Sequence, residues 1–482
     1  MSRTRIMSAL FAALLCTSTL AAARDSESDT DSDGARHSNP ALAQARRKFF
    51  GVENVDEKGR VDKSKVIFSW ATNTTYVAAA LGHVILLDSY INRPELPTAP
   101  LDMRRTKILP TDFVALRPEA IFLGHGHGDH ADNAAYVAKW TGATIYASAE
   151  TCLVMQQDVV RMWNDPNAVN NGEKIIPDGN PVNCVAMVPA ASPPGEYTGT
   201  LADPAGGTTT VRRITQFDPQ ICVLTFKHVH SGTAPVDTSF THTTFNNIGD
   251  PRYDGRIFIT PAATYPAMFP VGTSFVPPSN LANAVKGQVN TTTTGFGGSA
   301  GIIEMWYHFV VRGEGQNFTF AFVNSAGPVK EGIGTGSPGL ISLPDYNNPA
   351  KTAERALAAE IGKGLFNIMK NLPATDVFFG SIVSLGAAFN QQRDIIMYQQ
   401  KLRPRVYYPG HLTDVAQAGS ALYHKISWQQ TAYNMGFAQS DWPEFRLQID
   451  PNDFMVPQVF NPKDERWNKS SAEEDRIKSM CW

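Results

Sequence analysis

The chain has 482 residues, of which 43% are hydrophobic and 10% aromatic, ample material for a large folded core. Its 42 basic and 45 acidic side chains leave a formal charge of −3. With no broad basic surface, nucleic acid is excluded as the expected partner and a small-molecule substrate takes its place.

Residues 1–23 read as a secretory signal: Arg3 and Arg5 precede an apolar stretch from Ile6 to Leu20, and Ala21-Ala22-Ala23 supplies small residues for cleavage. The run is too short and too early for a spanning helix, so no stable membrane span is expected and the mature chain is secreted or periplasmic. Leu15 before Cys16 argues against lipidation, and the separation of Arg3 from Arg5 argues against a twin-arginine signal. Residues 24–40 form an acidic linker. Asp29-x-Asp31-x-Asp33-Gly34 opens like a calcium loop, but Pro40 stands where the twelfth-position Glu belongs. Residues 41–482 are expected to form one catalytic domain, entered through a helix-containing segment over 41–64.

The first buried-strand run, Gly82-His-Val-Ile-Leu-Leu-Asp88, closes on an acid. A second run, Ala120-Ile-Phe-Leu123, ends at Gly124 and passes into His125-Gly-His127-Gly-Asp129-His130. Three imidazoles and a carboxylate in so short an extended loop can converge on cations, and this donor mixture favours zinc or a similar first-row metal over calcium or magnesium. A helix over Asp132–Trp140, a strand over Thr144–Ala147 and a helix over Cys152–Trp163 follow. Ile221 to Lys227 is a β-rich run leading into His228-Val-His230-Ser231-Gly232. Strand alternation puts His228 and His230 on one face, so spacing does not decide between them.

Residues 231–300 break the rhythm with Pro, Gly, Thr and aromatics, including Thr264-Tyr-Pro-Ala-Met-Phe-Pro270. Starting just after a candidate ligand, this insertion is expected to act as a lid over an apolar substrate. Gly297-Gly-Ser299-Ala-Gly301 satisfies a nucleophile-elbow pattern, but a Thr-rich loop precedes it and a β-rich run over Ile302–Val311 follows, the reverse of the required strand and helix. The strand Phe318–Val323 runs into Asn324-Ser325. Thr352 to Leu372 carries Leu357, Ile361, Leu365, Ile368 and Leu372 at helical spacing. A strand over Asp376–Gly380, a helix over Asp394–Leu402 and the run Arg405-Val-Tyr-Tyr-Pro-Gly-His411 complete the alternation.

After signal cleavage Cys152, Cys184, Cys222 and Cys481 remain, open to three disulfide connectivities, with a buried unpaired thiol as the alternative for Cys222. Glycosylation sequons start at Asn73, Asn290, Asn317 and Asn468 and matter only in a glycosylating host.

The H-x-H-x-D-H cluster after a hydrophobic strand, with Asp88 upstream, His228 and His230 after a later strand and His411 near the end, resembles the metallo-β-lactamase superfamily over residues 64–415. The resemblance implies an α/β fold, a four-layer αβ/βα sandwich with the metal site along one edge of its two sheets. It favours His230, which precedes Ser231-Gly232, as the ligand and leaves His228 behind it or facing substrate. It implies one ion on His125, His127 and His230 and another on Asp129, His130 and His411, with Asp88 supporting a ligand histidine. Most relatives carry a bridging Asp where this chain has Asn324-Ser325, both neutral, so occupancy of the second position is open; Ser325→Asp, or Asn324→Asp if the register is shifted by one, is expected to tighten it. The expected chemistry is attack by a metal-bound hydroxide on an ester, lactone or amide, with Asp129 orienting the hydroxide and His130 beside it. Length and the terminal histidine also resemble the branch containing ascorbate-phosphate lactonase and N-acyl-phosphatidylethanolamine phospholipase D. That makes phosphodiester hydrolysis the alternative, with Lys227, Arg312 and Lys330 as its candidate cations. A non-catalytic binding module on the same fold is the third class.

Overall fold

The computed structural model describes residues 38–91, 108–164, 166, 169–170, 173–187, 198–202, 208–229, 237, 303–327, 329–331, 343–346, 348–381, 390–411, 421–448 and 453–482. The signal, nearly all of the acidic segment, the insertion apart from Asp237, and the Gly297–Gly301 motif lie outside the described residues. The first helix, Pro40–Phe50, begins where the Asn39 side chain accepts from Leu42 N at 3.1 Å, with proline at a position that needs no N–H. Pro40, assigned to the linker from sequence, is therefore helical, and Phe49 and Phe50 at the other end are buried.

The strands in chain order are β1 (Val66–Thr72), β2 (Thr75–Ala80), β3 (His83–Leu87), β4 (Ala120–Phe122), β5 (Thr144–Ala147), β6 (Val169–Asn170), β7 (Glu173–Lys174), β8 (Cys184–Ala186), β9 (Thr198–Ala202), β10 (Thr208–Ile214), β11 (Ile221–Val229), β12 (Ile303–Val311), β13 (Phe318–Val323), β14 (Val377–Ser381), β15 (Val406–Gly410), β16 (Glu444–Phe445) and β17 (Pro457–Phe460). A seven-stranded mixed sheet has the order β17-β1-β2-β3-β4-β5-β8, and an eight-stranded mixed sheet the order β16-β15-β14-β13-β12-β11-β10-β9; β6 and β7 form a separate hairpin.

Aromatic contacts show the two sheets face to face. Phe68 of β1 lies 5.0 Å from Phe320 and 4.7 Å from Phe379, and Phe122 of β4 lies 5.2 Å from Tyr307 and 5.0 Å from Phe309. Along β12 the period of two is clear: Met305, Tyr307, Phe309 and Val311 enter the inter-sheet core, while Trp306 and Val310 join an outer core with Met369, Ile395, Trp428 and Ile477. That outer core is covered by the helices Thr352–Asn371, Gln391–Leu402, Ala421–Asn434 and Ser471–Cys481. Phe113, Val137 and Met155, from the helices Pro110–Leu116, Ala134–Thr141 and Ala149–Asn164, pack on the first sheet. The result is the four-layer αβ/βα sandwich. Strands covered on both faces explain the unbroken burial of β1 and β2.

The expected stripe of the helix Thr352–Asn371 is buried at Ile368 and Leu372 and departs at Leu357. Leu357 is 59% exposed, while the next residue, Ala358, is buried along with Phe366, Ile368 and Met369. The buried face is set by the sheet surface beneath it, and Leu357 falls about 100° to the side of Ala358. Ile361 and Leu365 lie outside the described side chains. The cysteines pair as Cys152–Cys184 and Cys222–Cys481, so Cys222 is bonded and ties β11 to the C-terminal helix. Asn73 and Asn317 are buried, which removes them as glycosylation sites, and Asn468 is exposed. Among the described residues no helix is long and apolar enough to cross a membrane.

Candidate metal centre

Strand direction brings the candidate residues to one edge. β3 and β4 run parallel with Leu87 opposite Phe122, so Asp88 and the histidine loop leave the first sheet together. In the second sheet β13, β14 and β15 are parallel, and β11 shares their direction because two antiparallel pairings separate it from β13. The ends of β11, β13 and β15 therefore deliver His228, Asn324 and His411 to a common edge. Met305 N donates to Gly124 O at 2.7 Å and joins the sheets there.

The histidine segment is not extended throughout. His127 caps a helical turn, Gly128–Ala131, and its carbonyl accepts from His130 N at 3.1 Å and Ala131 N at 2.9 Å. Asp129 and His130 lie on this turn, which carries His130 back over Asp88. Four of the six sequence-assigned ligands are described and buried: His125, His127, His130 and His411. Ring centroids lie 4.4 Å apart for His125 and His127, 4.3 Å for His125 and His130, and 5.0 Å for His130 and His411. The Nε2 atoms of His130 and His411 are 3.2 Å apart. The Asp129 side chain and all of His230 lie outside the described residues. His228 is described only as backbone, opposite Glu304 in the β11–β12 register. Among the described residues no group of three His, Cys, Asp or Glu side chains encircles one point closely enough to hold an ion.

Asp88 is fully buried and collects four donors. They are Thr74 Oγ1 at 2.6 Å, His130 Nδ1 at 2.9 Å, Asn324 Nδ2 at 2.9 and 3.0 Å, and Gly124 N at 3.2 Å. A carboxylate only accepts, so His130 carries its proton on Nδ1 and presents Nε2 as the lone-pair nitrogen. Thr74 agrees with this assignment: its hydroxyl donates to Asp88 and accepts from His130 Nδ1 at 2.7 Å. The arrangement fits a cation. Two imidazole nitrogens bound tetrahedrally at zinc distances stand about 3.3 Å apart, close to the separation of the His130 and His411 Nε2 atoms.

Asn324 and Ser325 do not stand at an empty ligand position. Asn324 is wholly buried behind His125, whose Nδ1 lies 2.9 Å from its Oδ1, and Ser325 N donates to Glu304 Oε1 at 2.6 Å. Gly124 makes this possible, since a Cβ there would fall 2.1 Å from Asn324 Oδ1. Glu304 went unassigned in the sequence, although an acid inside the apolar run of β12 was the available signal. Burial pushes its carboxyl well above the ordinary range; the backbone N–H groups of Ser325 and Asn324 oppose the shift, while the Asp88 charge adds to it. Thr74, in the β1–β2 turn, carried no such signal. The proposed phosphate cations are placed elsewhere or engaged. Arg312 leaves the opposite end of β12 and its guanidinium lies 5.0 Å from the Trp482 ring, Lys330 pairs with Asp237, and the Lys227 side chain is outside the described residues.

No protein-family model and no curated protein matches the chain. Solved structures do resemble it. Igni18, a metallo hydrolase from Ignicoccus hospitalis, shares 12% identity over 82% of this chain and 98% of its own, with a TM-score of 0.36. An isothiocyanate hydrolase from Delia radicum gut bacteria shares 10% over 82% and 98%, with a TM-score of 0.35. MEM-A1, a subclass B3 metallo-β-lactamase from a soil metagenome library, shares 12% over 77% and 91%, with a TM-score of 0.25. Likeness this distant assigns no activity, which has to be argued from the chain's own side chains.

Proposed function

We propose that this chain is an exported, metal-dependent hydrolase that cleaves an ester, lactone or amide bond in a small, apolar molecule. Zinc is the ion the donors favour, with His125, His127 and His230 holding one and Asp129, His130 and His411 a second. One observation carries the reading: the buried Nε2 atoms of His130 and His411 lie 3.2 Å apart, with the His130 proton committed to Asp88 on the far side of the ring. A divalent ion in such a site supplies a water-derived nucleophile near neutral pH and polarises the bond to be broken.

The chain's own part is orientation. Asp88 and Thr74 lock the His130 ring and its tautomer, a support whose loss in comparable sites costs roughly 10–100-fold in affinity or activity. Burial of the four described histidines keeps competing water from their ring nitrogens. Asp129 is assigned to orient the attacking water. A neutral ester, lactone or amide is favoured over a phosphodiester because an anionic substrate calls for charge-assisted donors. Of its candidate cations, Arg312 is at the opposite edge and Lys330 is ion-paired.

Metal analysis of the purified protein, with a panel of lactone, carboxyl-ester, β-lactam and phosphodiester substrates, tests the proposal. His127→Ala should lose metal and turnover without unfolding the domain, since its ring lies at the edge where β4 ends. Wild-type turnover by that variant at equal metal content would end the metallohydrolase reading. Bound metal without turnover of any substrate would favour the binding module.

A further inference from the structure

A histidine binds a cation only through a deprotonated nitrogen, so each proposed ligand must keep its proton on the other one. For His130, Asp88 enforces this directly. For His125 the corresponding contact is with Asn324, and an amide is ambiguous: its oxygen accepts, its nitrogen donates, and the group can flip. Here the ambiguity is removed. Asn324 Nδ2 faces both oxygens of Asp88, at 2.9 and 3.0 Å, and a carboxylate offers nothing but acceptors. The amide must therefore turn its nitrogen to Asp88 and its oxygen to His125, and the ring atom 2.9 Å from that oxygen must be Nδ1–H.

We propose that Asn324 is a positioning residue through which the single carboxylate of Asp88 sets the tautomer of His125 as well as that of His130. The inference rests on the reading of His125 as a metal ligand. The amide is built into its place. It is wholly buried, Gly124 leaves the space a Cβ would occupy, and Glu304 holds the following N–H of Ser325. Its amide nitrogen matters too, because an ionised acid at 324 would have no donor to offer Asp88.

The test uses metal-free protein with 15N-labelled histidines, whose ring-nitrogen shifts report the tautomer; His125→Gln identifies the His125 signals. Wild-type His125 should be protonated on Nδ1. Asp88→Asn gives residue 88 a donor of its own, so the Asn324 amide is no longer forced into one orientation and His125 should gain the Nε2–H form. Asn324→Leu, which keeps the branched shape but deletes the acceptor, should do the same. Zinc titration should show roughly 10–100-fold weaker binding in both variants. An Nε2–H His125 in the wild type, or a His125 signature unmoved by both Asp88→Asn and Asn324→Leu, would each overturn the proposal. If the tautomer moves as described but the wild type binds no zinc, the relay stands and the metal-ligand reading falls.

Discussion

Adding one methyl group at Gly124 should disable the edge from within. A Cβ built there lies 2.1 Å from Asn324 Oδ1, 2.2 Å from its Cγ and 2.4 Å from its Nδ2. Since Cβ contacts under 3.0 Å are essentially never seen, the amide must retreat by roughly 1 Å (3.0 less 2.1). That retreat stretches its 2.9 Å and 3.0 Å hydrogen bonds to His125 and Asp88 beyond bonding distance. Overpacking of a buried site costs about 1–3 kcal/mol and a lost hydrogen bond to a charged group about 1.5–3 kcal/mol, while alanine returns under about 1 kcal/mol through the unfolded chain. The net expectation for Gly124→Ala is a loss of about 3 kcal/mol, or about 3 °C in melting temperature for a chain this large. Calorimetry on metal-free protein measures it directly. The clash is pairwise, so in an Asn324→Ala background the same methyl should cost less than about 1 kcal/mol, a coupling that a double-mutant cycle reads out. A Gly124→Ala protein melting with the wild type, or one whose penalty is identical with and without the Asn324 amide, would refute the packing argument and the relay's geometry with it.

Two further perturbations follow from the interior. Burial pushes the imidazoles of His308 and His424 down to about 3. With folded values below the unfolded one, the stability tied to keeping them neutral is fully present above about 6.5 and is lost as pH falls from there toward 3. At roughly pH 5 each contributes a loss of about 2 kcal/mol, so His308→Leu should narrow the urea-midpoint gap between neutral and acidic buffer relative to wild type; an unchanged gap would count against it. The disulfides should rank by the chain they close. Cys222–Cys481 spans 259 residues and Cys152–Cys184 spans 32, for upper bounds of about 5.6 and about 3.7 kcal/mol. Removal of the first pair by double alanine substitution should lower the melting temperature more than removal of the second, and the opposite order would contradict the loop-entropy account.

The strands were legible because each edge-forming run announces itself twice, by an apolar interior and by the residue that ends it. β3 closes on Asp88, β4 on Leu123-Gly124, β15 on His411, and all three appear within a residue or two of their expected bounds. The sheet order was not legible from these runs. β17 pairs with β1 across nearly the whole chain, a contact no local pattern encodes. The helical turn at Gly128–Ala131 was hidden for a different reason. Two glycines around His127 read as an extended loop, and only the return of His130 onto Asp88 makes a turn worthwhile there. Leu357 shows the limit of periodicity, since it is exposed while Ile368 and Leu372 of the same stripe are buried.

At the site, the ligand types were legible but the scaffolding was not. Asn324-Ser325 looked like the place of a lost acid because the partners of Asn324, His125 and Asp88, are 199 and 236 positions away. An amide has value there only once both are seen at hydrogen-bond distance. Glu304 was a visible anomaly in an apolar strand, whereas nothing in the sequence linked it to the N–H of Ser325.

The backbone carries a cost that bears on the same edge. Asn73, Asp88 and His411 take left-handed φ values of 48°, 56° and 66°. Such conformations cost on the order of 1 kcal/mol or more for residues with side chains, and glycine would adopt them without penalty. Left-handed side chains also occur away from the edge, at Leu81, Arg117, Asn390, Arg403 and Met455, so the strain alone does not mark the site. What distinguishes the edge is the use made of the side chains. Asp88 turns back a carboxylate that takes four donors, and His411 turns a ring whose Nε2 meets His130. Asn73 accepts His411 N at 3.4 Å on the carbonyl that also receives Trp70 Nε1, so one strained turn holds the next in place. At Asp88 and His411 the side chain that glycine would delete is the one that meets a ring nitrogen of His130, so glycine there would relieve the backbone and remove the contact.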